Sequence, residues 1–288
     1  MIPAAFEYVK ASSVAQAIAL LNQHGDEAKV IAGGHSLLPA MKLRLSQPAV
    51  LIDIAHVAEL KGIKTAGSTL TIGAGETYHA IATSATVISA CPVLASCTGQ
   101  IGDIQVRNAG TIGGALAHAD PAADLTAVFL ALGGTVTVQS AGGTRSIAAD
   151  DLFVSMLMTA LDSGELITAV SVPVMSKGQG AAYAKLKHPA SRYAIVGVAA
   201  AVTISNGVVS ACRVAVTGAG PQAVRQPSVE KALIGTSGDA AAIKAACASA
   251  GADMEYLGDI HASEDYRRAM VKVYAARALT DAVAAARA

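Results

Sequence analysis

The sequence predicts an α+β protein in three parts, and three observations support that prediction. A strand-helix-strand pattern fills residues 1–55, a mixture of strands and short helices follows, and three strands precede an alanine-rich helical end. The 288 residues suit about two domains at roughly 150 residues each, which is enough chain to bury a core of ordinary size. No internal repeat is visible.

The first part is typical of a β-α-β unit. A helix is predicted to begin at Ser12 or Ser13, whose hydroxyl can accept a hydrogen bond from a free backbone N–H, and to end at Asn22. The rest of the unit is a strand, a helix and a second strand, at residues 28–32, 37–44 and 50–54.

Alternating apolar and polar residues predict strands in the middle part. Residues 135–139 and 144–147 are predicted to pair as a β-hairpin, because the turn signal Ser140-Ala141-Gly142-Gly143 separates them. Further strands are predicted at residues 69–73 and 165–173, and helices at residues 77–84 and 93–97.

A polar, glycine-rich passage at residues 176–180 marks the start of the third part. Three strands are predicted there, at residues 180–187, 194–204 and 208–216. Residues 239–288 are rich in alanine and are predicted to be helical.

Composition argues against several classes of partner. The 21 basic residues balance the 21 acidic ones, so no long-range positive field draws the chain to nucleic acid or to an anionic membrane. Charged residues make up only 15% of the chain, against a typical value of about 25%. A permanent partner subunit is one candidate for covering a surface so poor in charge.

The sequence also predicts a cytoplasmic protein with no transmembrane segment. The longest apolar run, residues 194–204, is shorter than the roughly 18 residues that a membrane helix needs, and the N-terminus lacks an export signal. The four widely spaced cysteines are expected to be buried thiols in a reducing compartment, with no metal site: Cys91, Cys97, Cys212 and Cys247.

The most informative stretch is Val30-Ile31-Ala32-Gly33-Gly34-His35-Ser36-Leu37. A strand that ends in two glycines before a helix exposes backbone N–H groups without obstruction by Cβ atoms. Such a loop suits a phosphate or a pyrophosphate, although a simple tight turn would explain the two glycines equally well. The motif is not G-x-G-x-x-G, which argues against a nicotinamide-binding Rossmann domain.

A second glycine pair lies in Arg107-Asn108-Ala109-Gly110-Thr111-Ile112-Gly113-Gly114-Ala115. Asp120 and Asp124 follow, and they either hydrogen-bond a ribose or a ring N–H, or cap the helix that begins near Leu125. Two glycine-rich loops far apart in the chain would suit a diphosphate held from two sides, as a dinucleotide requires. No Gly-Lys-Ser/Thr follows either pair, so hydrolysis of ATP is not expected.

With these two motifs in this order, the sequence resembles the FAD-binding medium subunits of the molybdenum hydroxylases, the xanthine oxidase superfamily. Within that group it is most similar to the medium chains of aerobic carbon monoxide dehydrogenases. Ala32-Gly33-Gly34-His35-Ser36, Gln105-Val106-Arg107-Asn108 and Thr111-Ile112-Gly113-Gly114 carry the resemblance, which extends over essentially the whole chain.

The resemblance implies a two-subdomain FAD-binding domain of the vanillyl-alcohol-oxidase or PCMH type. A C-terminal three-stranded antiparallel sheet with a helical bundle would follow it and cover the flavin. The expected boundaries are residues 1–55, 56–177 and 178–288.

The resemblance also implies the site. Residues 32–36 and 111–115 would hold the pyrophosphate through backbone N–H groups, Ile101 would pack near the cofactor, and Asp124 would meet the adenosine portion. Ile167 and Lys185 would lie near the isoalloxazine, with Lys185 stabilising negative charge on the reduced ring, and Tyr193 would shield that ring. The full set of expected cofactor-binding residues is Ala32, Gly33, Gly34, His35, Ser36, Leu37, Ile101, Thr111, Gly113, Gly114, Ala115, Asp120, Asp124, Ile167, Lys185 and Tyr193.

Two departures from the family and two alternatives accompany these expectations. Ala115 stands where the family often has asparagine, and residues 185–192 differ from the more basic loop of the carbon monoxide enzymes, which leaves the substrate of the complete enzyme open. Tyr193 could be an ordinary half-buried strand residue. His188 is interpreted as a loop residue beside a proline, and His35 and His118 as packing or single-bond residues without a catalytic role.

The implied function is electron transfer, with no catalytic residue in this chain. FAD would take electrons from a [2Fe-2S] cluster in a small iron–sulfur subunit and pass them to an external acceptor. A large subunit would carry the molybdopterin cofactor, in a dimer of heterotrimers that is cytoplasmic or peripheral at the inner face of the membrane. The complete enzyme would be carbon monoxide dehydrogenase-like, or a hydroxylase of aldehydes or N-heterocycles.

Two other functions have less support from the sequence. A stand-alone flavin-dependent oxidoreductase would need its own placed acid or base, and no stretch of the chain supplies one. A binding module that has lost its cofactor would be expected to lose one glycine pair, whereas both pairs are intact.

Overall fold

The structure, a computed structural model, describes residues 1–252 and 254–288 of the chain. Within these residues the strands form sheets of three, five, four and two strands. The predicted α+β class is confirmed, and the sheets follow one another along the chain with helices between them.

A parallel sheet with strand order β1-β3-β2 forms the first part. Its elements are β1 (Glu7–Lys10), α1 (Val14–His24), β2 (Ala28–Ile31), α2 (Leu37–Lys42) and β3 (Val50–Asp53). The predicted β-α-β unit is confirmed, and β1 adds a strand that the sequence does not predict. Ser13, the second of the two candidate serines, caps α1 by accepting the N–H of Gln16 at 3.1 Å.

A five-stranded antiparallel sheet with order β4-β5-β10-β6-β7 forms the second part. Its strands are β4 (Ile63–Ala66), β5 (Thr69–Gly73), β6 (Thr135–Ser140), β7 (Gly143–Ala148) and β10 (Leu166–Pro173), with the small hairpin β8 (Phe153–Ser155) and β9 (Met158–Thr159) beside the sheet. The predicted hairpin is confirmed as β6 and β7.

Seven helices of the second part pack against this sheet or lie between its strands. They are α3 (Tyr78–Thr83), α4 (Ala85–Ala90), α5 (Pro92–Gly99), α6 (Ile104–Ala109), α7 (Ile112–His118), α8 (Asp124–Leu132) and α9 (Ala149–Leu152). The sequence predicts α3 and α5 but not α4, α6 or α7, and α7 contains the glycine pair Gly113-Gly114, which is typical of a loop.

The third part is an antiparallel sheet covered by helices. Its elements are β11 (Gln179–Lys187), β12 (Ala194–Ser205), β13 (Val208–Thr217), β14 (Val224–Arg225), α10 (Pro227–Leu233), α11 (Ala240–Cys247) and α12 (Glu264–Arg287). The three predicted strands are confirmed, and the two-residue strand β14 extends the sheet. The prediction that residues 239–288 are helical is confirmed for α11 and α12 and is wrong for residues 248–252 and 254–263, which lie outside helices.

Helix α8 joins the second part to the third. All nine of its residues are buried, because the helix packs on α5 on one side and on β12 and β13 on the other. A helix that is apolar all round is expected in an interior. Its first residue is nevertheless the carboxylate Asp124, so the fold carries a charged group into the junction.

The four cysteines are free and buried, which confirms the prediction for them. Burial raises the pKa of Cys91 and of Cys247 to about 11, so both thiols are protonated at neutral pH. In the part of the chain that the structure describes, no helix is both long enough and apolar enough to cross a membrane.

Helix α12 approaches strand β11 so closely that only glycine fits at position 180. A Cβ atom there would meet Ala282 O and Ala286 N and would lie 2.9 Å from Ala285 C. Gly180→Val should therefore push the helix off the sheet and lower the free energy of unfolding by about 1–3 kcal/mol, the usual cost of overpacking. Thermal or denaturant unfolding of the purified chain measures it.

The matched control is Gly142→Ala in the β6–β7 turn. A Cβ atom there has ordinary contacts, the nearest at 3.6 Å, and the glycine does not have a positive φ. Equal stability of the two variants would contradict this account of how α12 packs.

Candidate functional site

The two glycine-rich loops, remote in the chain, touch in the structure. We call residues 32–37 the first glycine loop and residues 109–115 the second. A Cβ atom on Gly33 would collide with the carbonyl oxygen of Ala109 and would lie 2.8 Å from Gly110 Cα. Only glycine allows this approach, so the first glycine of the motif is explained by packing of one loop on the other.

The first glycine loop presents a row of free N–H groups. The backbone N–H groups of residues 33–37 have no acceptor among residues 1–252 and 254–288, and Ser36 precedes α2 without a side-chain cap. Gly34 takes a positive φ of 71°, which turns the chain so that successive N–H groups remain available. Successive free N–H groups are the usual donors to the oxygens of a phosphate or a diphosphate.

The second glycine loop is built differently. The N–H of Gly113 donates to Ala74 O at 2.9 Å, and the N–H of Gly114 donates to Thr111 Oγ1 at 3.2 Å, because Thr111 caps α7. The N–H groups of Ile112 and Ala115 are also paired within the chain. The expectation that residues 111–115 present free N–H groups is therefore wrong for residues 112–115 in this conformation.

Gly113 and Gly114 instead allow close packing. A Cβ atom on Gly113 would lie 2.8 Å from Ala74 O, and one on Gly114 would lie 2.8 Å from Thr111 Oγ1. The pair lets α7 begin against the backbone after β5, which holds the second glycine loop in place beneath the first.

A cavity of about 130 Å³ opens beside the two loops. We call it the central cavity. It brings together seven of the predicted site residues, namely His35, Ser36, Ile101, Ala115, Asp120, Asp124 and Tyr193. Eight further residues line it that the prediction did not include: Tyr78, Gly102, Val106, His118, Ala123, Leu125, Ser191 and Arg192.

Nine predicted residues do not line the central cavity: Ala32, Gly33, Gly34, Leu37, Thr111, Gly113, Gly114, Ile167 and Lys185. Gly33, Gly34 and Leu37 belong to the row of free N–H groups. Ile167 is buried in the apolar core at the β10–β6 pairing, and its expected place near the isoalloxazine stays a prediction.

The two carboxylates after the second glycine loop do not cap α8. The N-cap of α8 is Ala123, which makes no side-chain hydrogen bond, so the capping alternative is wrong. Asp120 Oδ1 accepts the N–H of Ala122 at 2.8 Å in a local turn. Asp124 accepts hydrogen bonds from the hydroxyl of Tyr183 and from Lys185 Nζ, the latter at 2.9 Å.

Asp124 and Lys185 form a buried ion pair, with side chains 5% and 2% exposed. Burial raises the pKa of the Asp124 carboxyl, and the Lys185 charge and the Tyr183 hydrogen bond oppose that rise. Burial also raises the pKa of Tyr183. Its hydroxyl therefore stays protonated and donates a hydrogen bond to the Asp124 carboxylate.

Lys185 acts as a clamp on the walls of the central cavity. Besides Asp124, its ammonium donates to Gln100 O at 3.1 Å and to Arg192 O at 2.9 Å, so all three of its donors have partners. Gln100 precedes Ile101, and Arg192 precedes Tyr193, so one charge fixes two wall segments and the first turn of α8. The expected role of Lys185 at the flavin stays a prediction beside this supporting one.

Two tyrosines give the central cavity an aromatic lining. Tyr193 lies just before β12 and is 45% exposed, so it is half-buried but is not itself a strand residue. Tyr78 is buried, and its ring packs on Gly110, whose added Cβ would lie 2.5 Å from Tyr78 Cε2. Burial raises the pKa of both tyrosines, so both hydroxyls are protonated at neutral pH.

Little in the amino-acid sequence marks Tyr78, His118 and Arg192 as residues of the central cavity. Tyr78 begins α3 as part of an ordinary amphipathic pattern. Its ring contacts Gly110 of the second glycine loop, which is remote from α3 in the chain. The positive φ of 61° at Arg192 could not be expected from a residue without glycine's freedom.

Comparison with known proteins places this geometry in a family. A family model of the FAD-binding domain in molybdopterin dehydrogenase matches residues 4–175, and a model of the carbon monoxide dehydrogenase flavoprotein C-terminal domain matches residues 181–282. The chain belongs to the FAD-binding subunits of the molybdopterin dehydrogenases. The resemblance noted from the two glycine motifs is thereby confirmed.

The similarity of this FAD-binding subunit to its relatives extends over the whole chain. It is 40% identical over 282 residues to the carbon monoxide dehydrogenase medium chain of Hydrogenophaga pseudoflava, covering 98% of both chains. It is 39% identical over 288 residues to the 6-hydroxypseudooxynicotine dehydrogenase complex subunit alpha of Paenarthrobacter nicotinovorans, covering 100% of this chain and 97% of that one.

Solved structures agree. A chain of the Hydrogenophaga pseudoflava carbon monoxide dehydrogenase that lacks the Mo-pyranopterin moiety superposes with a TM-score of 0.96 at 42% identity, over 99% of both chains. Quinoline 2-oxidoreductase from Pseudomonas putida 86 gives 0.94 at 30% identity, over 100% of both chains. The chain is an FAD-binding medium subunit of carbon monoxide dehydrogenase-like molybdenum hydroxylases, and an oxidoreductase subunit.

Removing the clamp should leave Asp124 buried without a counter-charge. Lys185→Met should lower the free energy of unfolding at neutral pH by about 3–5 kcal/mol, the usual cost of breaking a buried ion pair. The folded-state pKa of Asp124 should then rise further above its unfolded value of about 3.9, so the folded state binds the proton more tightly. The deficit relative to wild type should therefore shrink as the pH falls from neutral toward about 4.

Denaturant unfolding across this pH range measures the deficit. Lys187→Met on the same strand, where the lysine is exposed, should stay within about 0.5 kcal/mol of wild type. The double variant D124N/K185M has no buried charge at these positions, so its deficit should not shrink as the pH falls. A pH-independent deficit for Lys185→Met would contradict the clamp.

Proposed function

We propose that this chain holds FAD across the first glycine loop and the central cavity and passes electrons within a three-subunit complex. The flavin would receive electrons from a [2Fe-2S] cluster in a small iron–sulfur subunit and deliver them to an external acceptor. A large subunit would carry the molybdopterin cofactor, in a dimer of heterotrimers. Bound FAD supplies the ability to take electrons singly and release them in pairs.

The row of free N–H groups at residues 33–37 carries this proposal. The diphosphate of FAD is a doubly charged linker, and five consecutive unpaired donors match its oxygens. Two residues of this row, His35 and Ser36, also line the central cavity, which supports a cofactor that spans both. The residues present therefore fit the cofactor that the family binds.

The other expected site residues divide into lining and support. Ile101, Ala115, Asp120 and Tyr193 line the central cavity and are available to a bound cofactor. Thr111, Gly113 and Gly114 hold the second glycine loop, while Asp124 and Lys185 hold the walls. We therefore assign Asp124 and Lys185 to positioning and Tyr193 to covering the flavin.

We also propose that the chain divides at residues 55/56 and 177/178. The three-stranded sheet ends at Asp53 and the five-stranded sheet ends at Pro173, so each boundary falls in a connection between sheets.

The exposed apolar hairpin β8–β9 supports a partner next to the flavin site. Val154, Met156, Leu157 and Met158 are 47–55% exposed, and Leu157 takes a positive φ of 57° at the tip. Helix α7 packs beside β9, and Ala115 and His118 of α7 line the central cavity. An electron donor has to approach the flavin, so we assign this hairpin to the iron–sulfur subunit.

The proposal leaves the choice of substrate to the other subunits. The chain is almost equally similar to a medium chain of carbon monoxide dehydrogenase and to a subunit of a 6-hydroxypseudooxynicotine dehydrogenase complex, at 40% and 39% identity. The names of these two relatives imply different substrates, which supports the view that one type of flavin subunit works with either substrate. The substrate pocket then belongs to the large subunit.

The purified full chain should hold FAD, and Gly33→Ala should lose most of it. The added methyl group collides with the Ala109 carbonyl, which pushes the two glycine loops apart and displaces the row of donors. The flavin absorbance per chain after gel filtration measures retention.

Gly142→Ala is the control and should retain FAD as the wild type does. Full retention by Gly33→Ala, in a folded protein, would contradict the assignment of the diphosphate to the first glycine loop. A wild-type chain that binds no FAD, alone or in the complex, would contradict the proposed function itself.

The hairpin should be needed for assembly but not for flavin binding. The double variant M156D/M158D places two carboxylates on the apolar hairpin, and burying them against a partner is unfavourable. We expect co-purification with the co-expressed iron–sulfur subunit to be lost while flavin content is kept. Ile88→Asp, on exposed α4, is the control; equal co-purification of both variants would rule out the hairpin as the contact.

A further inference from the structure

A six-residue loop, residues 188–193, forms one wall of the central cavity. We call it the His188 loop. It supplies Ser191, Arg192 and Tyr193 to the lining. Arg192 takes a positive φ of 61°, a left-handed conformation that is unfavourable for a residue with a Cβ atom. The loop therefore needs external contacts to hold Tyr193 where it lies.

The imidazole of His188 is itself part of the loop and holds the loop backbone through side-chain hydrogen bonds. Its Nδ1 accepts the backbone N–H of Ser191 at 3.1 Å and that of Ala190 at 3.3 Å, and it lies 3.2 Å from Ser191 Oγ. A backbone N–H can only donate, so Nδ1 carries no proton and the ring proton sits on Nε2. The backbone N–H of His188 closes the loop by donating to Tyr193 O at 2.8 Å.

The other ring nitrogen ties the loop to the helical end of the chain. His188 Nε2 lies 3.2 Å from His261 Nδ1, with the two ring centroids 4.3 Å apart. The proton on His188 Nε2 is donated to His261, so His261 Nδ1 is also unprotonated. The N–H of His261 donates to Asp259 Oδ1 at 2.8 Å, and Arg267 Nη2 of α12 donates to Asp259 Oδ2 at 2.6 Å.

We propose that His188 is a positioning residue for the flavin: its neutral ring holds the Arg192–Tyr193 wall of the central cavity, and protonation of Nδ1 releases that wall. This inference rests on the proposed function, because it takes the central cavity as part of the flavin site. A protonated Nδ1 is a donor, so it cannot accept from Ala190 and Ser191. This contribution to the affinity for FAD should therefore fall as the pH falls.

Charged groups on the neighbouring elements set the background for this effect. Asp259 and Arg267 lie behind His261 and form an ion pair with each other. Lys185 of β11 and Arg192 of the loop itself are bound to backbone carbonyls. None of these side chains changes charge in the range between about pH 5 and 8 where histidines titrate.

Two histidines in the central cavity act in the opposite direction. His35 and His118 line it, and a positive charge on either would favour the anionic FAD at low pH. The contribution of His188 is therefore the difference between wild type and a variant that lacks only this titration.

His188→Asn is that variant. The side-chain amide oxygen of asparagine can accept the same two N–H groups that Nδ1 accepts, but it does not titrate. His188→Leu removes the acceptor altogether. The two variants separate the positioning role of His188 from its protonation.

The test is titration of FAD into the full-length apoprotein, followed by flavin fluorescence, at about pH 8 and about pH 5.5. At the higher pH we expect wild type and His188→Asn to bind alike and His188→Leu to bind about tenfold more weakly. At the lower pH wild type should lose affinity relative to His188→Asn, because a protein molecule with a proton on Nδ1 does not hold the wall in place.

Thermal unfolding of the three apoproteins at the higher pH shows whether each variant is folded. Two results would overturn the inference: His188→Leu binding as tightly as wild type at the higher pH, or wild type and His188→Asn showing the same pH dependence. A loss of affinity in His188→Leu that His188→Asn does not restore would also overturn it. Failure of the wild-type protein to bind FAD at any pH would instead count against the proposed function.

Discussion

The contact between Gly33 and the backbone of Ala109 and Gly110 is the constraint on which the site depends. It joins a loop of the parallel first sheet to a loop of the second part, and neither loop could approach so closely with a Cβ atom at position 33. The free N–H groups of residues 33–37 belong to the same loop, and His35 and Ser36 of that loop line the central cavity. Packing of backbone on backbone thus creates a place where a charged linker and a flat ring system can lie side by side.

Two glycine pairs that look alike in the sequence have different tasks in the structure. The first offers donors, because its N–H groups have no partners among the described residues. In the second pair, the N–H groups donate to Ala74 O and Thr111 Oγ1. The absence of side chains at these two glycines allows close packing. Among the charged residues, the buried pair of Asp124 and Lys185 fixes the cavity walls, and of the two only Asp124 also lines the cavity.

Much of the fold could be predicted from local patterns. The hairpin of β6 and β7 follows from its turn residues, the cap of α1 from its serines, and the long strands of the third part from their apolar runs. The short helices α4, α6 and α7 were not predicted, and in α7 the glycine pair is typical of a loop rather than of a helix. The non-helical residues between α11 and α12 were not predicted, because an alanine-rich composition does not show where a helix ends.

For the site, the sequence could indicate which residues matter more readily than what each one does. His35 and Ser36 of the first glycine loop line the central cavity with Tyr193, whereas Lys185 and Ile167 do not. The role of Lys185 depends on three acceptors, at positions 100, 124 and 192, that meet only in the folded chain. No spacing rule could show this, since each acceptor but one is a backbone carbonyl that any residue would supply.

The most direct test of the central claim is a crystal structure of the full chain with FAD. The account predicts diphosphate oxygens within hydrogen-bond distance of the N–H groups of residues 33–37, with Gly33 still against Ala109 and Thr111 still capping α7. A diphosphate bound instead by the N–H groups of residues 112–115, with the Thr111 cap broken, would contradict it.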